Sequence, residues 1–160
     1  MAIINTDVKQ KTIKSEVSLT GVGLHTGKDV TLTFKPAPEN AGFAFKRIDL
    51  EGAPVIEADA NYVTNTQRGT CLEKNGVTIQ TCEHVLAALV GMGIDNALLE
   101  LDNSEPPIMD GSSKFFVEAL EKVGLKEQEA CREEYVVTEV ISYVDEKSGS
   151  EIMLMPAEEY

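Results

Sequence analysis

The sequence predicts an α+β fold in which a mixed or antiparallel sheet carries two helices packed on one face. Apolar residues alternate with polar ones through the first half of the chain, as they do in half-buried strands. Two segments near the middle have helical spacing, and strand patterns return after each of them. An order of strands, helix, strand, helix and strands is typical of helices layered on one side of a sheet.

The strands of the first half are predicted from alternation and from turn residues. The apolar positions that carry the alternation are Ile13, Val17, Leu19, Val30, Leu32, Phe34, Phe43 and Phe45. A hairpin is predicted between Cys71-Leu72 and residues 77–79, because Asn75-Gly76 favours the positive φ angles of a tight turn.

Two helices interrupt the strands. The first is predicted over Thr81–Val90 and ends at the glycines that follow. After a strand at Ala97–Leu101, a second helix contains residues 115–123, with Asp110 or Ser112 as its cap and a glycine as its stop.

The C-terminal part predicts a domain boundary. Residues 1–126 are predicted to form an N-terminal domain, and the polar residues 127–134 to form a linker. Two further strands within residues 135–160 are predicted to pair as a hairpin across Asp145–Ser150, and they either complete the first sheet or begin a second domain.

Composition excludes several classes of protein. There are 27 acidic and 14 basic residues, a net charge of −13, which repels phosphate backbones and argues against nucleic-acid binding. No stretch approaches the roughly 20 apolar residues of a membrane span, and the N-terminus lacks a signal-peptide pattern. The three cysteines lack metal-binding spacing and are interpreted as reduced thiols. These features favour a cytoplasmic protein.

The pair Glu83-His84 is the strongest candidate for chemistry. It stands at the start of the first predicted helix, directly after a predicted strand. Imidazole can bind a metal while a neighbouring carboxylate takes a proton from an activated water. Since no second histidine follows four residues later, the pair does not form the metalloprotease helix motif, and a capping or surface role stays open.

Three other features admit structural interpretations. The glycine-rich segment 21–27 contains His25, but a strand rather than a helix follows, so a phosphate loop is not favoured. His25 could line a site or bond within a turn. Residues 105–112, with two adjacent prolines, are assigned to architecture. Cys82 could have a depressed pKa at a helix start or be a buried thiol.

Taken in order, five segments resemble the UDP-3-O-acyl-N-acetylglucosamine deacetylase family, zinc enzymes of lipid A synthesis in Gram-negative bacteria. The resemblance spans about residues 10–156, and five ordered motifs are more specific than any one of them. The matching segments are Thr20–Gly27, Thr70–Leu72, Thr81–His84, Gly93–Asn96 and Pro107–Ser112.

The resemblance implies roles for particular residues. His84 would be the first of three zinc ligands, and Glu83 would be the general base. The reaction would remove the N-acetyl group from a UDP-linked, O-acylated glucosamine. The substrate-binding residues would be Leu24, His25, Gln67, Arg68 and Gly69.

The resemblance also implies that this chain lacks part of an active site. The family takes its other two zinc ligands and a catalytic histidine from a second domain, and no histidine follows His84 here. The chain is therefore expected to be one half of a two-domain α/β sandwich, inactive alone, whose partner is the rest of the same enzyme. A hydrophobic patch on the helices, with self-association, is expected. The alternatives are a non-catalytic binding module and a small metalloprotein that uses His25, His84 and carboxylates together.

Overall fold

The computed structural model describes residues 2–157, which divide into two compact units. We call residues 10–130 the core unit, and residues 1–9 with 131–160 the terminal unit. The described strands are β1 (Ala2–Ile13), β2 (Val17–Val22), β3 (Asp29–Pro36), β4 (Phe43–Arg47), β5 (Val55–Glu57), β6 (Val63–Asn65), β7 (Cys71–Lys74), β8 (Val77–Ile79), β9 (Ala97–Leu101), β10 (Leu125–Val136), β11 (Ile141–Val144) and β12 (Glu151–Leu154). The described helices are α1 (Glu83–Gly91), α2 (Lys114–Val123) and a 3-10 turn at Ala60–Tyr62.

A five-stranded mixed sheet is the centre of the core unit. Its strand order is β2-β3-β9-β4-β5, and the parallel pair is β4 with β9. Alternate residues of β3 and β9 are buried, as the sequence pattern predicted for β3. A second sheet, β6-β7-β8, contains the predicted hairpin, with positive φ angles at Asn75 and Gly76.

Both helices pack with the five-stranded sheet in one apolar core, which confirms the predicted α+β class. The ring of Phe116 on α2 meets that of Phe34 on β3 edge to face, with centroids 6.3 Å apart. Leu89 on α1 is fully buried in the same cluster. Each fully buried side chain of this kind stabilises the fold by roughly 1.5–3 kcal/mol. Neither helix among the described residues is long and apolar enough to cross a membrane.

The segment Gly93–Asn96 holds the start of β9 to other parts of the core unit. The Asp95 carboxylate accepts the backbone N–H of Lys11 at 2.6 Å. The buried Asn96 side chain donates to Gln10 and Gln128, both at 2.8 Å, and accepts the N–H of Gly42. Gly93–Asn96, one of the five segments that carry the resemblance, therefore has a structural role.

The predicted linker is not an irregular segment. Residues 127–134 lie within β10, which pairs with β1. Strand pairing uses backbone groups, so the mostly charged side chains of this stretch can remain outside the core. The linker role of residues 127–134 and the domain boundaries placed at residues 126 and 135 remain predictions.

Other details also differ from the sequence pattern. The segment containing Ile13, Val17 and Leu19 is divided between β1 and β2. Strands β5 and β6 were not predicted. The N-cap of α2 is Ser113, without a side-chain capping bond, rather than Asp110 or Ser112. The Ser112 hydroxyl instead accepts the N–H of residue 114 at 3.2 Å.

The terminal unit contains the second predicted hairpin. Strands β11 and β12 are antiparallel, with Tyr143 opposite Ile152, and Asp145 N–H donates to the Ser150 carbonyl across the turn. No residue of the described part of this unit, 2–9 and 131–157, is buried. Backbone pairing is thus its main visible source of order.

Candidate active site

Glu83 and His84 occupy the first two positions of α1. The Glu83 carboxylate lies at the positive end of the helix, where a negative charge is stabilised. Its Oε2 accepts the Thr70 N–H at 2.9 Å, and its Oε1 lies 3.9 Å from His84 Nε2. The two side chains are 38% and 31% exposed, respectively. The pair is therefore anchored by the backbone and also accessible to a ligand.

His84 is also tied to the second helix through its backbone. Ser113, at the start of α2, donates its hydroxyl to the His84 carbonyl at 2.9 Å. This bond joins the N-terminal ends of α1 and α2. The position of His84 is thus set by two helices packed in the same core.

A cavity of about 260 Å³ lies beside this pair. His25, Gln67, Arg68 and Gly69 all line it, so His25 comes together with three consecutive residues that are distant from it in sequence. The His25 imidazole Nε2 is 3.3 Å from the Arg68 carbonyl. Residues 67–69 belong to the loop between β6 and β7, not to a strand edge.

Gly69 connects the cavity to the Glu83 carboxylate. A Cβ placed on Gly69 would lie 3.4 Å from Glu83 Oε1 and 3.4 Å from the Thr81 hydroxyl. Leu24 is 54% exposed in the same loop as His25, but it does not line this cavity. The structure therefore gathers His25 and residues 67–69 around one cavity. Glu83 lies next to its Gly69 wall without lining it, and neither His84 nor Leu24 lines it.

The glycines at positions 21 and 23 make room for the segment that follows β9. A Cβ at Gly21 would lie 2.9 Å from Pro107 Cβ, and one at Gly23 would lie 2.7 Å from Glu105 Oε2 and would clash with the Thr26 hydroxyl. The glycines serve close packing in a connection between β2 and β3. This agrees with the strand-connection interpretation.

Glu105 is a site residue that the sequence interpretation missed. It is completely buried, and its carboxylate accepts the backbone N–H groups of His25 and Thr26 and the hydroxyl of Thr81. Burial raises the pKa of Glu105, but these hydrogen bonds outweigh it and hold the pKa below its ordinary range. No local pattern marks such a residue, because its partners lie about 24 and 80 positions away.

Two residues next to the site have backbones in the left-handed region. The φ angles of Arg68 and Thr81 are 62° and 52°. For the β-branched Thr81 this conformation is strongly disfavoured, and such strain is concentrated at functional sites. The strained positions immediately flank Gly69 and Cys82-Glu83.

Cys82 is a buried thiol rather than a nucleophile. It is fully buried at the N-cap of α1, and its Sγ donates to the Thr70 carbonyl at 3.4 Å. Burial, reinforced by the charge of Glu83, raises the pKa of the thiol to about 12. Of the two interpretations left open by the sequence, the structure supports the buried thiol.

The donor set fits part of a zinc site. An imidazole with an adjacent carboxylate supplies one ligand and one base. A structural or catalytic zinc needs at least three protein ligands, and residues 2–157 contain no group of three or more His, Cys, Asp or Glu side chains placed to hold a metal. The small metalloprotein that uses His25, His84 and carboxylates together is therefore not supported by the geometry.

Comparison with known proteins identifies relatives over almost the whole chain. Residues 10–160 match the sequence model of the family described as "LpxC: UDP-3-O-acyl N-acetylglycosamine deacetylase". The chain is 50% identical over 153 residues to the bifunctional enzyme LpxC/FabZ of Bacteroides thetaiotaomicron, covering 96% of this chain and 33% of that protein.

Two further relatives give the same result. The LpxC/FabZ enzyme of Porphyromonas gingivalis is 47% identical over 95% of this chain and 33% of its own length. The UDP-3-O-acyl-N-acetylglucosamine deacetylase of Idiomarina loihiensis is 44% identical over 91% of this chain and 48% of its own length. The chain thus spans about a third to a half of the length of these relatives.

Proposed function

The chain belongs to the UDP-3-O-acyl-N-acetylglucosamine deacetylase family, and on that premise we propose that it contributes one metal ligand and the general base to a zinc-dependent deacetylase. The observation that carries this proposal is the Glu83–His84 pair, anchored at the start of α1 and open to solvent beside the cavity. The reaction is hydrolysis of the N-acetyl group of a UDP-linked, O-acylated glucosamine in lipid A synthesis, in the cytoplasm.

Glu83 is suited to accept a proton at one defined atom. Its Oε2 is held by the Thr70 N–H, and its Oε1 faces the His84 imidazole at 3.9 Å. A water bound on the open side of the pair would lie within hydrogen-bond reach of Oε1. The carboxylate takes the proton of that water as its oxygen attacks the amide carbonyl carbon, and it later returns a proton to the departing amine.

His84 is the proposed zinc ligand of this half of the site. When bound, zinc supplies Lewis-acid polarisation of the water and of the amide carbonyl. The role of the protein is to fix the imidazole, and the Ser113 bond to the His84 carbonyl does this from the backbone side. The remaining ligands come from the second half of the enzyme.

The cavity residues are the proposed binding surface for the substrate. The Arg68 guanidinium supplies donors that suit a phosphate, and the His25 and Gln67 side chains supply further polar groups. Because Gly69 has no side chain, it leaves space next to Glu83, where the acetamido group must approach. Leu24 adds an exposed apolar group at the edge of the same loop.

We also propose that these 160 residues are inactive alone, because residues 2–157 contain no group of three or more His, Cys, Asp or Glu side chains placed to hold a metal. The partner is the second domain of the same enzyme, with a boundary at residues 127–134 and the first strands of that domain in residues 135–160.

The test compares the 160-residue chain with a chain that continues through the second half of the family's length. Release of acetate from the UDP-linked substrate is expected from the longer chain only. Glu83→Gln is expected to reduce turnover by about 10²–10⁴-fold, the usual contribution of a general base. The control Glu100→Gln makes the same chemical change in a largely buried carboxylate on β9, which pairs with Lys35 on β3 and Lys46 on β4. It should leave turnover within about threefold.

Zinc titration distinguishes the divided site from a complete one. Weak, substoichiometric binding by the 160-residue chain, reduced further by His84→Ala, supports the proposal. Tight binding of one zinc per chain would contradict the divided site. A longer chain that folds, binds zinc and releases no acetate would favour the non-catalytic module.

A further inference from the structure

Glu105 lies where two segments of the candidate site meet. Its side chain is completely buried, yet it touches the loop that carries His25 and the turn that precedes α1. The loop donates the N–H groups of His25 and Thr26 at 3.0 and 2.9 Å, and the turn donates the Thr81 hydroxyl at 2.7 Å. One carboxylate therefore fixes the distance between the two segments.

The residues around Glu105 leave space for its carboxylate and direct hydrogen-bond donors at it. Gly23 has no room for a Cβ, because that atom would lie 2.7 Å from Glu105 Oε2. The flanking backbone is also paired, since the Gln80 N–H donates to the Ser104 carbonyl at 2.8 Å. All three donors aimed at Glu105 favour its ionised form.

The Thr81–Glu105 hydrogen bond lies two residues from Glu83, the candidate base. Thr81 has a φ of 52°, a conformation that a β-branched residue keeps only when its surroundings enforce it. Glu83 follows two residues later. The segment in between is held by Cys82 N–H to the Thr70 carbonyl at 3.4 Å, and Glu83 itself by the Thr70 N–H.

We propose that Glu105 is a positioning residue that holds the His25 loop and the strained Thr81 turn in register, and thereby orients Glu83 and His84. It acts through hydrogen bonds to the backbone of residues 25 and 26 and to the Thr81 side chain. It is too deeply buried to touch a ligand in the cavity. The catalytic consequence rests on the proposed deacetylase function, whereas the orientation of the pair does not.

Glu105→Gln is the principal variant. It keeps the size of the side chain but places an amide NH₂ against backbone N–H donors, so one segment must move. In the longer, zinc-loaded chain we expect kcat to fall on the order of 100-fold, the effect of a misplacement of about 1 Å, with KM changed by less than about threefold. Glu100→Gln, on β9, is the matched control.

Thr81→Val is the second variant, and it removes a single donor with little change in volume. If Glu105 acts through Thr81, the double variant should lose little more kcat than Glu105→Gln alone. Additive losses in the double variant would contradict this route. A fall in thermal stability with kcat unchanged below the transition would show a merely structural role and overturn the proposal.

A second measurement does not depend on activity. In the 160-residue chain, Glu105→Gln and Thr81→Val should shift the amide NMR signals of Glu83 and His84 and speed exchange at His25 and Thr26, while Glu100→Gln should not. Unchanged Glu83 and His84 signals would overturn the proposal. If these signals shift but the longer wild-type chain releases no acetate, the deacetylase function fails and the positioning role stands.

Discussion

The two hairpins of this chain have the same local pattern and very different surroundings. In β7–β8 of the core unit, Leu72 pairs with Ile79, and the two side chains are 2% and 0% exposed. In β11–β12 of the terminal unit, Tyr143 pairs with Ile152, and they are 65% and 64% exposed. Both have regular antiparallel register, but only the first has a core to face.

The difference separates what pairing provides from what burial provides. Ladder hydrogen bonds exchange for bonds to water, so each stabilises a fold by only about 1 kcal/mol, and an isolated two-stranded hairpin is marginal. The β7–β8 hairpin gains the burial of Leu72 and Ile79, whereas β11–β12 leaves its apolar side chains in water. We therefore expect the two units to respond differently to the same change.

The largest difference is expected from one substitution made in each hairpin. Ile79→Ala removes a fully buried side chain and should reduce the free energy of unfolding by about 2–5 kcal/mol. Ile152→Ala removes an exposed one and should change it by less than about 0.5 kcal/mol. Urea unfolding followed by circular dichroism measures both, and equal effects would mean that Ile152 is buried in solution.

Acid should separate the units next. Hydrogen bonds hold the pKa of Glu105 in the core unit and of Asp145 in the β11–β12 turn below their ordinary values of 4.5 and 3.8, against the opposing effect of burial at Glu105. A carboxyl with a depressed folded pKa stabilises the fold above its unfolded pKa and loses that contribution as pH falls through the folded pKa.

We therefore expect Glu105→Gln to lower the midpoint of thermal unfolding at pH 7. The difference between the midpoints of the variant and the wild type should become smaller as the pH falls below about 4.5. Asp145→Asn, in an exposed turn, should barely move the midpoint at either pH. A gap for Glu105→Gln that stays constant down to pH 3 would show that its charge is not the stabilising feature.

The smallest effect concerns association. The predicted apolar patch on the helices would include Val90 and Phe115, which are 67% and 36% exposed. A longer apolar run is exposed on β11–β12, including Tyr143 and Ile152. Tyr143→Lys with Ile152→Lys should reduce binding of a hydrophobic dye and light scattering more than Val90→Ser with Phe115→Ser. The reverse order would place the associating surface on the helices.

The elements of the core unit were largely predictable because burial leaves a periodic record in sequence. Val30, Leu32 and Phe34 alternate with polar residues because one face of β3 is buried. Asn75-Gly76 marks the turn between β7 and β8, because it adopts φ angles that few other residues adopt. Strand β10 escaped prediction for the converse reason. Its side chains are half-buried or exposed and half of them are charged, so they carry no apolar period.

The candidate site was predictable only in part. Glu83-His84 could be proposed from its chemistry at a strand-to-helix junction, and the resemblance added the residues of the cavity wall. The convergence of His25 with residues 67–69 depends on how separate strands pack, which spacing along the chain does not encode. The role of Glu105 could not be predicted, because the adjacent Pro106 and Pro107 already gave this segment a structural interpretation. Its hydrogen-bond partners are also distant in sequence.

The buried thiol at Cys82 has a practical consequence for labelling. Because burial raises the pKa of this thiol to about 12, very little of the reactive thiolate is present there at pH 7. Alkylating dyes and mild oxidants act on thiolates that they can reach, so they should modify the half-buried Cys71 or Cys131 long before Cys82. Cys71 lines the cavity and Cys131 belongs to the terminal unit. Variants that retain Cys82 together with only one of Cys71 and Cys131 thus provide a fluorescent reporter for either region without altering the residue beside Glu83.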